Sequence, residues 1–533
     1  MNAPASQRRR AFMTLTAAVA ASGMAACTAG NSPRGTRLPF SPFGLGVASG
    51  SPAPDGFVLW TRLVAPGNAP LTGFVGPTRA VEVAWEVADD EAFARVVQRG
   101  VAIAPPELAH AVHVQVRGLT PERPYFYRFI SGDAASPVGR TRTLPPPDAA
   151  IARLRLAYAS CQRFEHGFFS AYRHMRDDAP DCVLFLGDYI YEYPGAQNAV
   201  RNVDGVWTMT LDDYRRRYAI YKGDADLKAM HAAAPWIITW DDHEVQNDYA
   251  GTREGNAGPV ADDFVARRAA AYQAWFEHLP VPPAALKHAA AGLMQGEELR
   301  VYGHFRVGRL ADIALLDTRQ YRDPQACSKS GRTLTATAEP AACAEWNDPA
   351  RSLLGIEQER WLERVYGASS ARWNVLAQQC MFGERNLSPG RTRTLLRDPW
   401  DGYPAARRRV TDAWQRHRVA NPVVLGGDAH ENWVGQVKAD YADPSSRDVG
   451  VEFCGTSISS REFDRRQTKA QLAANPHFIF ADSARRGYGL AEFTRDRLNV
   501  QLRVVDDVAR RDTGVSTLAR FEVEAGRSRV TGQ

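Results

Sequence analysis

The chain has 533 residues, of which 44% are hydrophobic, 23% charged and 10% aromatic, with a formal net charge of +5. This is a globular balance. It excludes a disordered chain, and seven cysteines in this length exclude a small disulfide scaffold. The 65 basic residues include only six lysines, but 60 acidic residues are interspersed with them, so nucleic-acid binding is not expected as the main role. The length predicts roughly two to four domains.

The N-terminus carries Arg8-Arg9-Arg10-Ala11-Phe12-Met13 and then a short apolar run ending at Ala26. A charged segment before a short apolar one is an export signal, too short for a permanent membrane span. Its paired arginines resemble a twin-arginine signal, which implies the twin-arginine export machinery as a partner and a periplasmic or extracellular destination. Met24-Ala25-Ala26-Cys27 resembles a lipobox, which would anchor the chain to a membrane through a lipid on Cys27. Simple cleavage after Ala25 or Ala26 is the alternative. Residues 1–30 are therefore set apart from the fold. Export implies an oxidising compartment. Cys327 and Cys343 flank a polar loop and are expected to pair, whereas Cys182, Cys380 and Cys454 sit in apolar surroundings.

Residues 40–147 read as a small β-sandwich domain. Strands are expected at 57–61, 81–87, 111–116 and 125–129, the first after a Pro54-Asp55-Gly56 turn. The Tyr125–Phe129 run, placed after Gly118-Leu119-Thr120-Pro121, resembles the tyrosine-corner strand of a fibronectin-III or immunoglobulin-like sandwich. The proline run at 145–147 marks the boundary. Residues 148–520 read as one α/β or α+β layered domain, in which apolar runs alternate with amphipathic helices at 167–178 and 358–369.

The residues just beyond each apolar run carry the chemistry. Residues 154–159 lead to Ser160-Cys161, 182–186 to Gly187-Asp188 with Tyr191 beyond, and 236–240 to Asp241-Asp242-His243-Glu244. Residues 313–316 lead to Asp317, 373–377 to Gln378-Gln379, and 422–425 to Gly426-Gly427-Asp428-Ala429-His430. Ligands bind beyond the carboxyl ends of strands in open sheets. A lone Asp there is ordinarily a cap or turn residue, but this many metal-capable endings are expected to converge on one metal centre. The carboxylate of Asp188 can bridge two cations. The thiolate of Cys161, the phenolate of Tyr191 and the imidazole of His430 suit Fe(III), while the oxygens of Asp242, Asp428 and Gln378 suit Ca²⁺ or Mn²⁺. Alternation fixes the face only if the register is right, so Asp241 and Gln379 stand as alternatives to Asp242 and Gln378.

Such a centre serves phosphoryl transfer to water, one metal generating hydroxide and another clamping phosphate oxygens. His243 is the candidate catalytic residue, stabilising the leaving group or equatorial oxygens. Its alternative is to orient the site from behind. Arg163 and Arg385 are candidates for binding substrate phosphate, with a salt bridge as the alternative for Arg163. Gly455-Thr456-Ser457-Ile458-Ser459 lacks the strand-to-helix setting of a serine nucleophile and reads as a structural loop near the metals.

Ala159-Ser160-Cys161-Gln162, Leu186-Gly187-Asp188-Tyr189-Ile190-Tyr191-Glu192, Thr239–Val245 and Gly427–Trp433 together resemble the PhoD family of alkaline phosphatases/phosphodiesterases. Leu316–Arg322, Gly355–Trp361 and the early Gly46–Gly50 and Val58–Arg62 segments fit it too, so the likeness spans residues 40–510. It implies a calcineurin-like metallophosphoesterase sandwich flanked by helices behind a small β-domain, with an iron–calcium centre. By motif, Cys161, Asp188, Tyr191 and His430 match the iron ligands, with Asp188 as the bridge. Asp242 stands where the wider superfamily has an Asn, Asp428 where it has a His, and Gln378 near another His. These oxygen-for-nitrogen replacements agree with calcium rather than zinc in the second position. The implied function is an exported metal-dependent phosphohydrolase. A phospholipase D-like or cell-wall-polymer phosphodiesterase, and a surface binding protein with a structural metal site, are the alternatives.

Overall fold

The computed structural model describes residues 40–66, 79–285, 299–328, 331–333, 337–388, 390, 392–443, 445–461 and 465–532. The export signal expected at 1–30, with Cys27, lies outside them. Two compact units are present. One is drawn from Met1–Pro145, Val206–Ile237 and Val265–Arg300, the other from Pro146–Gly205, Ile238–Phe264 and Val301–Gln533.

The first unit is built on two facing antiparallel layers. Gly56–Arg62 lies between Val47–Ala53 and Ala111–Val116. Val81–Ala88 lies between Val96–Ala104 and Pro124–Ser131, and the latter also pairs with Gly139–Arg142. Alternation along each strand sends Leu59, Val83, Trp85, Val114, Tyr127 and Phe129 into one buried core. The Tyr125 hydroxyl donates to the Thr120 carbonyl at 3.2 Å and accepts from the Thr120 amide at 3.0 Å, the tyrosine corner that the sequence suggested. The same unit includes the helices Leu211–Lys222 and Ala225–Ala233, which the composition of residues 40–147 could not reveal. Thr210 and Asp213 form a capping box on the first, and Asp224 caps the second through the amides of Asp226 and Leu227.

The second unit is a mixed α/β body. One of its sheets runs in the order Gly303–Val307, Ala311–Leu315, Trp373–Ala377, Pro422–Gly426, Asp448–Cys454, Asn432–Lys438, Phe478–Asp482. The four strands from Ala311–Leu315 to Asp448–Cys454 are parallel neighbours. Ala311–Leu315, Trp373–Ala377 and Pro422–Gly426 are buried along their whole length, as strands covered on both faces must be. The helices Ile356–Ala368 and Pro404–Arg416 cover this sheet through Leu362, Tyr366, Val410 and Trp414, which pack on Leu376, Val424 and Val437. The opposing layer runs Val530–Gly532, Val515–Glu524, Arg497–Val505, Arg486–Thr494, Arg153–Ala159, Cys182–Leu186. Edge-on or tilted ring pairs, Trp373 with Phe493 and Phe453 with Phe521, join the two layers.

Cys327 and Cys343 form a disulfide across a sequence separation of 16. Cys161, Cys182, Cys380 and Cys454 are buried and outside any disulfide. Among the described residues no helix is long and apolar enough to cross a membrane.

Candidate metal centre

All the strand-end donors anticipated from the sequence lie within the second unit. The backbone there is unusual. Cys161, Asp188, Asp428 and His430 have φ of +59°, +58°, +62° and +55°, a left-handed region that non-glycine residues seldom adopt. Each stands a few residues past the end of a parallel strand, and the reversal aims the side chain across the strand ends. Gly187, with φ of +107°, makes one such turn possible. A Cβ built on it would lie 2.4 Å from the Cβ of Asp241, so only glycine lets the two turns approach.

Three overlapping donor groups result, each with ligand atoms within 4.8 Å of one another: Cys161, Asp188 and His430; Asp188, Asp242 and His243; Asp241, Asp242 and Asp428. Asp188 is common to the first two and Asp242 to the last two. The Tyr191 hydroxyl joins the first group, donating to Asp188 Oδ2 at 2.8 Å and lying 3.1 Å from His430 Nε2. The sequence left Asp241 and Asp242 as alternatives, and both point into the cluster.

The electrostatics are those of a cation site. Among the described residues, Asp188 Oδ1, Asp241 Oδ2, Asp242 Oδ1 and Asp248 Oδ2 are buried without a hydrogen-bond partner. Buried carboxylate oxygens are costly unless neutralised, and the donor set fits metal ions. Burial, and then the crowding of like charges, raises the carboxyl pKa of Asp188 and Asp428 well above the usual range. Burial also raises Asp241 to about 6, against the opposing pull of Arg319. Burial, followed by the carboxylates of Asp188 and Asp428, pushes the Cys161 thiol well up. Burial works the other way on His430 and takes it down to about 3, aided by Arg486.

His243 is held differently. Its Nδ1 lies 2.7 Å from Glu192 Oε2, while Glu192 Oε1 accepts from the Asn247 amide at 2.8 Å. Burial opposes protonation of this imidazole, but Glu192, Asp188 and Asp242 outweigh it and raise its pKa well above the ordinary value. The ring lies 4.2 Å from that of Tyr191.

Three further residues support the centre, of which Glu244 stands in a strand ending the sequence singled out but with no role assigned. Arg319 is buried, bonds Asp241 through Nε, lies 3.7 Å from Asp242 and pairs with Asp398 at 2.7 Å. Glu244 accepts from the amides of Asp188, Tyr189 and Asp241 at 3.1, 2.6 and 2.8 Å, stitching two donor-bearing loops together. Ser460 reaches both Cys161 and Tyr191. The motif Leu316–Arg322 pointed to Arg319's neighbourhood, but only the tertiary fold shows its target.

The remaining sequence candidates make other contacts. Gln378 donates to the Cys380 carbonyl, and its Oε1 accepts from Trp400 Nε1 at 3.0 Å and the Cys380 amide at 3.1 Å. Gln379, rather than Gln378, reaches toward the Asp241 loop, donating to the Trp240 carbonyl at 2.7 Å. Arg163 donates to the Gly195 carbonyl at 2.9 Å, and its guanidinium lies 4.5 Å from the Tyr193 ring and 5.5 Å from the Tyr191 ring. Arg385 pairs with Glu431 at 2.8 Å and lies over Trp433.

Comparison with known proteins places the chain in a family. The family model described as PhoD-like phosphatase matches residues 156–502, and that of its N-terminal domain matches residues 29–145. The chain is 44% identical over 489 residues to alkaline phosphatase D of Bacillus subtilis (strain 168), covering 90% of this chain and 80% of that protein. A solved structure described as "Structure of PhoD" superposes with a TM-score of 0.86 at 42% identity, covering 93% of both chains. The cluster at the strand ends thus sits in a phosphoric ester hydrolase, and the chain belongs to the PhoD-like phosphatase family.

Proposed function

We propose that the protein is an exported, metal-dependent phosphohydrolase that takes Fe(III) and Ca²⁺ in adjoining parts of one centre. The observation that carries this reading is the division of donors by type. Cys161, Asp188, Tyr191 and His430 gather sulfur, phenol, imidazole and carboxylate, a set suited to iron. Asp241, Asp242 and Asp428 offer only oxygen, a set suited to calcium. Asp188 and Asp242, each shared between two groups, are the bridging candidates. Because the Gln378 carbonyl oxygen is already engaged, the oxygen set rests on the three aspartates.

The ions, when bound, act as Lewis acids that activate water and clamp phosphate oxygens. The chain's own residues do the rest. Glu192 keeps His243 protonated and aimed at the cluster, where the imidazolium stabilises charge on the phosphate or the leaving group. Arg319 holds Asp241 and Asp242 against their mutual repulsion. Arg163, beside the Tyr191 ring, is the nearer of the two arginine candidates for substrate contact. Arg385 instead braces Trp433 and Glu431. The alkaline phosphatase named for the Bacillus relative supports an ester-cleaving reaction, and Arg9-Arg10 with the adjoining apolar run supports export, with Cys27 as the proposed lipid site.

Metal analysis of the purified protein is expected to find iron and calcium, with a visible absorption band from thiolate or phenolate bound to Fe(III). A fully active protein that contains only zinc would sink the ligand assignment. Rates on a phosphomonoester, a simple phosphodiester and a phospholipid separate the phosphatase from the diesterase reading. Inactivity on all three would return the chain to a binding role.

A further inference from the structure

The segment 457–461, beyond the Asp448–Cys454 strand, touches the sulfur-containing group at several points. The Ile458 amide donates to the Ser160 carbonyl at 3.0 Å, and the Arg461 carbonyl lies 3.0 Å from His430 Nδ1. A carbonyl can only accept, so His430 carries its proton on Nδ1 and presents the Nε2 lone pair to the cluster. Ser460 is the centre of this segment and is fully buried. Its Oγ lies 2.8 Å from the Cys161 carbonyl and 2.9 Å from the Tyr191 hydroxyl, and it accepts from the Arg163 amide at 3.1 Å.

One serine hydroxyl has a single proton to give. The Arg163 amide fills a lone pair on Oγ, so that proton faces two acceptors, the Cys161 carbonyl and the Tyr191 oxygen. A hydrogen bond to an ionised oxygen is roughly twice as strong as one to a neutral acceptor. With Tyr191 held as a phenolate ligand, the Tyr191 oxygen would be the stronger of the two acceptors of the Ser460 proton, which lie 2.9 and 2.8 Å from Ser460 Oγ. His430 Nε2 has no proton to compete with it.

We propose that Ser460 is a positioning residue for the Cys161–Tyr191 pair, whose hydroxyl donates to the ligating Tyr191 oxygen and limits how strongly that oxygen donates to the metal. The proposal rests on the iron reading given above. It deepens that reading, because Ser460 then holds the Cys161 carbonyl through its backbone amide at 3.3 Å and the Tyr191 oxygen through its hydroxyl, joining two loops and setting the electron density on one oxygen.

The test compares full-length wild-type protein, Ser460→Ala and Ser460→Thr, each loaded with iron. In Ser460→Ala the phenolate loses its donor, so the visible band moves to longer wavelength, and the lost placement of the Cys161 and Tyr191 loops outweighs the stronger phenolate donation and weakens iron binding by about 10- to 100-fold. Ser460→Thr keeps the hydroxyl and restores both. An unchanged band and affinity in Ser460→Ala overturns the proposal, as does equal impairment in both variants, which would show that packing alone matters. Where Ser460→Ala does not fold, wild-type protein produced in D₂O serves. Its tyrosinate C–O stretch in resonance Raman spectra is expected to shift from the value in H₂O, and the absence of a shift overturns the proposal. A wild-type protein that binds iron with no visible band fails the iron reading itself, a result distinguishable without any variant.

Discussion

Glu192 Oε2 lies 2.7 Å from His243 Nδ1, and this contact favours the charged form of the imidazole grouped with Asp188 and Asp242. An imidazolium whose pKa is raised stays charged below that pKa and loses its charge as pH rises through it. Glu192→Gln removes the strongest of the charges that sustain it. The alkaline limb of the kcat/KM profile is expected to move to lower pH, with turnover reduced about 10- to 100-fold. His243→Asn is expected to cost about 10²- to 10⁴-fold in kcat. A Glu192→Gln profile that overlays the wild type would remove His243 from the reaction.

Cys161 supplies the only thiol in the three donor groups of the described residues. Cys161→Ala deletes a proposed ligand and little volume, so near-complete loss of turnover is expected, with a loss of stability of about 1 kcal/mol. Activity assays beside thermal unfolding check this, and full turnover with intact folding would make Cys161 an ordinary buried thiol.

Stripping the metal has a consequence for stability that depends on pH. The folded chain raises the carboxyl pKa of Asp241 to about 6 and of Glu244 to about 8, burial being the leading cause for both. These groups hold more protons folded than unfolded. Their contribution is therefore fully present below the ordinary carboxyl range and is lost as pH rises through about 6 and then about 8. Chelator-treated protein is expected to melt lower at about pH 9 than at about pH 5, and added Ca²⁺ to recover more at the higher pH. Equal recovery at both would show that the carboxylates are not the ion's partners.

The disulfide between Cys327 and Cys343 closes a loop whose neighbours Ala326, Trp346 and Leu395 form a small separate cluster. Loop closure across a separation of 16 stabilises by about 3 kcal/mol in the chain-entropy model. Cys327→Ser paired with Cys343→Ser should lower the denaturation midpoint accordingly. Retention of the wild-type midpoint in both oxidised and reduced samples would contradict this.

The strands that build the centre were legible because they are short apolar runs ending in a polar turn. Cys182–Leu186 and Trp373–Ala377 stand where the sequence placed them. The donors beyond them were legible for the same reason, since a strand end is where a side chain is delivered. Val96–Ala104 was not among the expected strands; it is half exposed and has Gly100 in its middle, which weakens a strand pattern. The fold needs that glycine, as a Cβ there would lie 2.7 Å from the Trp85 ring. Arg319, Glu244 and Ser460 were hidden for a different reason. Each acts on at least one group far away in sequence, and a buried arginine or serine looks no different from a surface one until its partners are in place.

The left-handed backbone at Cys161, Asp188, Asp428 and His430 also sets an order of assembly. An unfolded chain seldom visits that conformation at one such residue, and far less often at four together. A metal meeting the nascent chain finds no cage to close upon, unlike a zinc finger, whose ion draws the fold around itself. The expected order is that the two sheets come first and the ions enter a finished socket. If the chain is carried folded across a membrane, as the proposed Arg9-Arg10 signal implies, the supply of metal in the compartment of synthesis decides which ions it carries out.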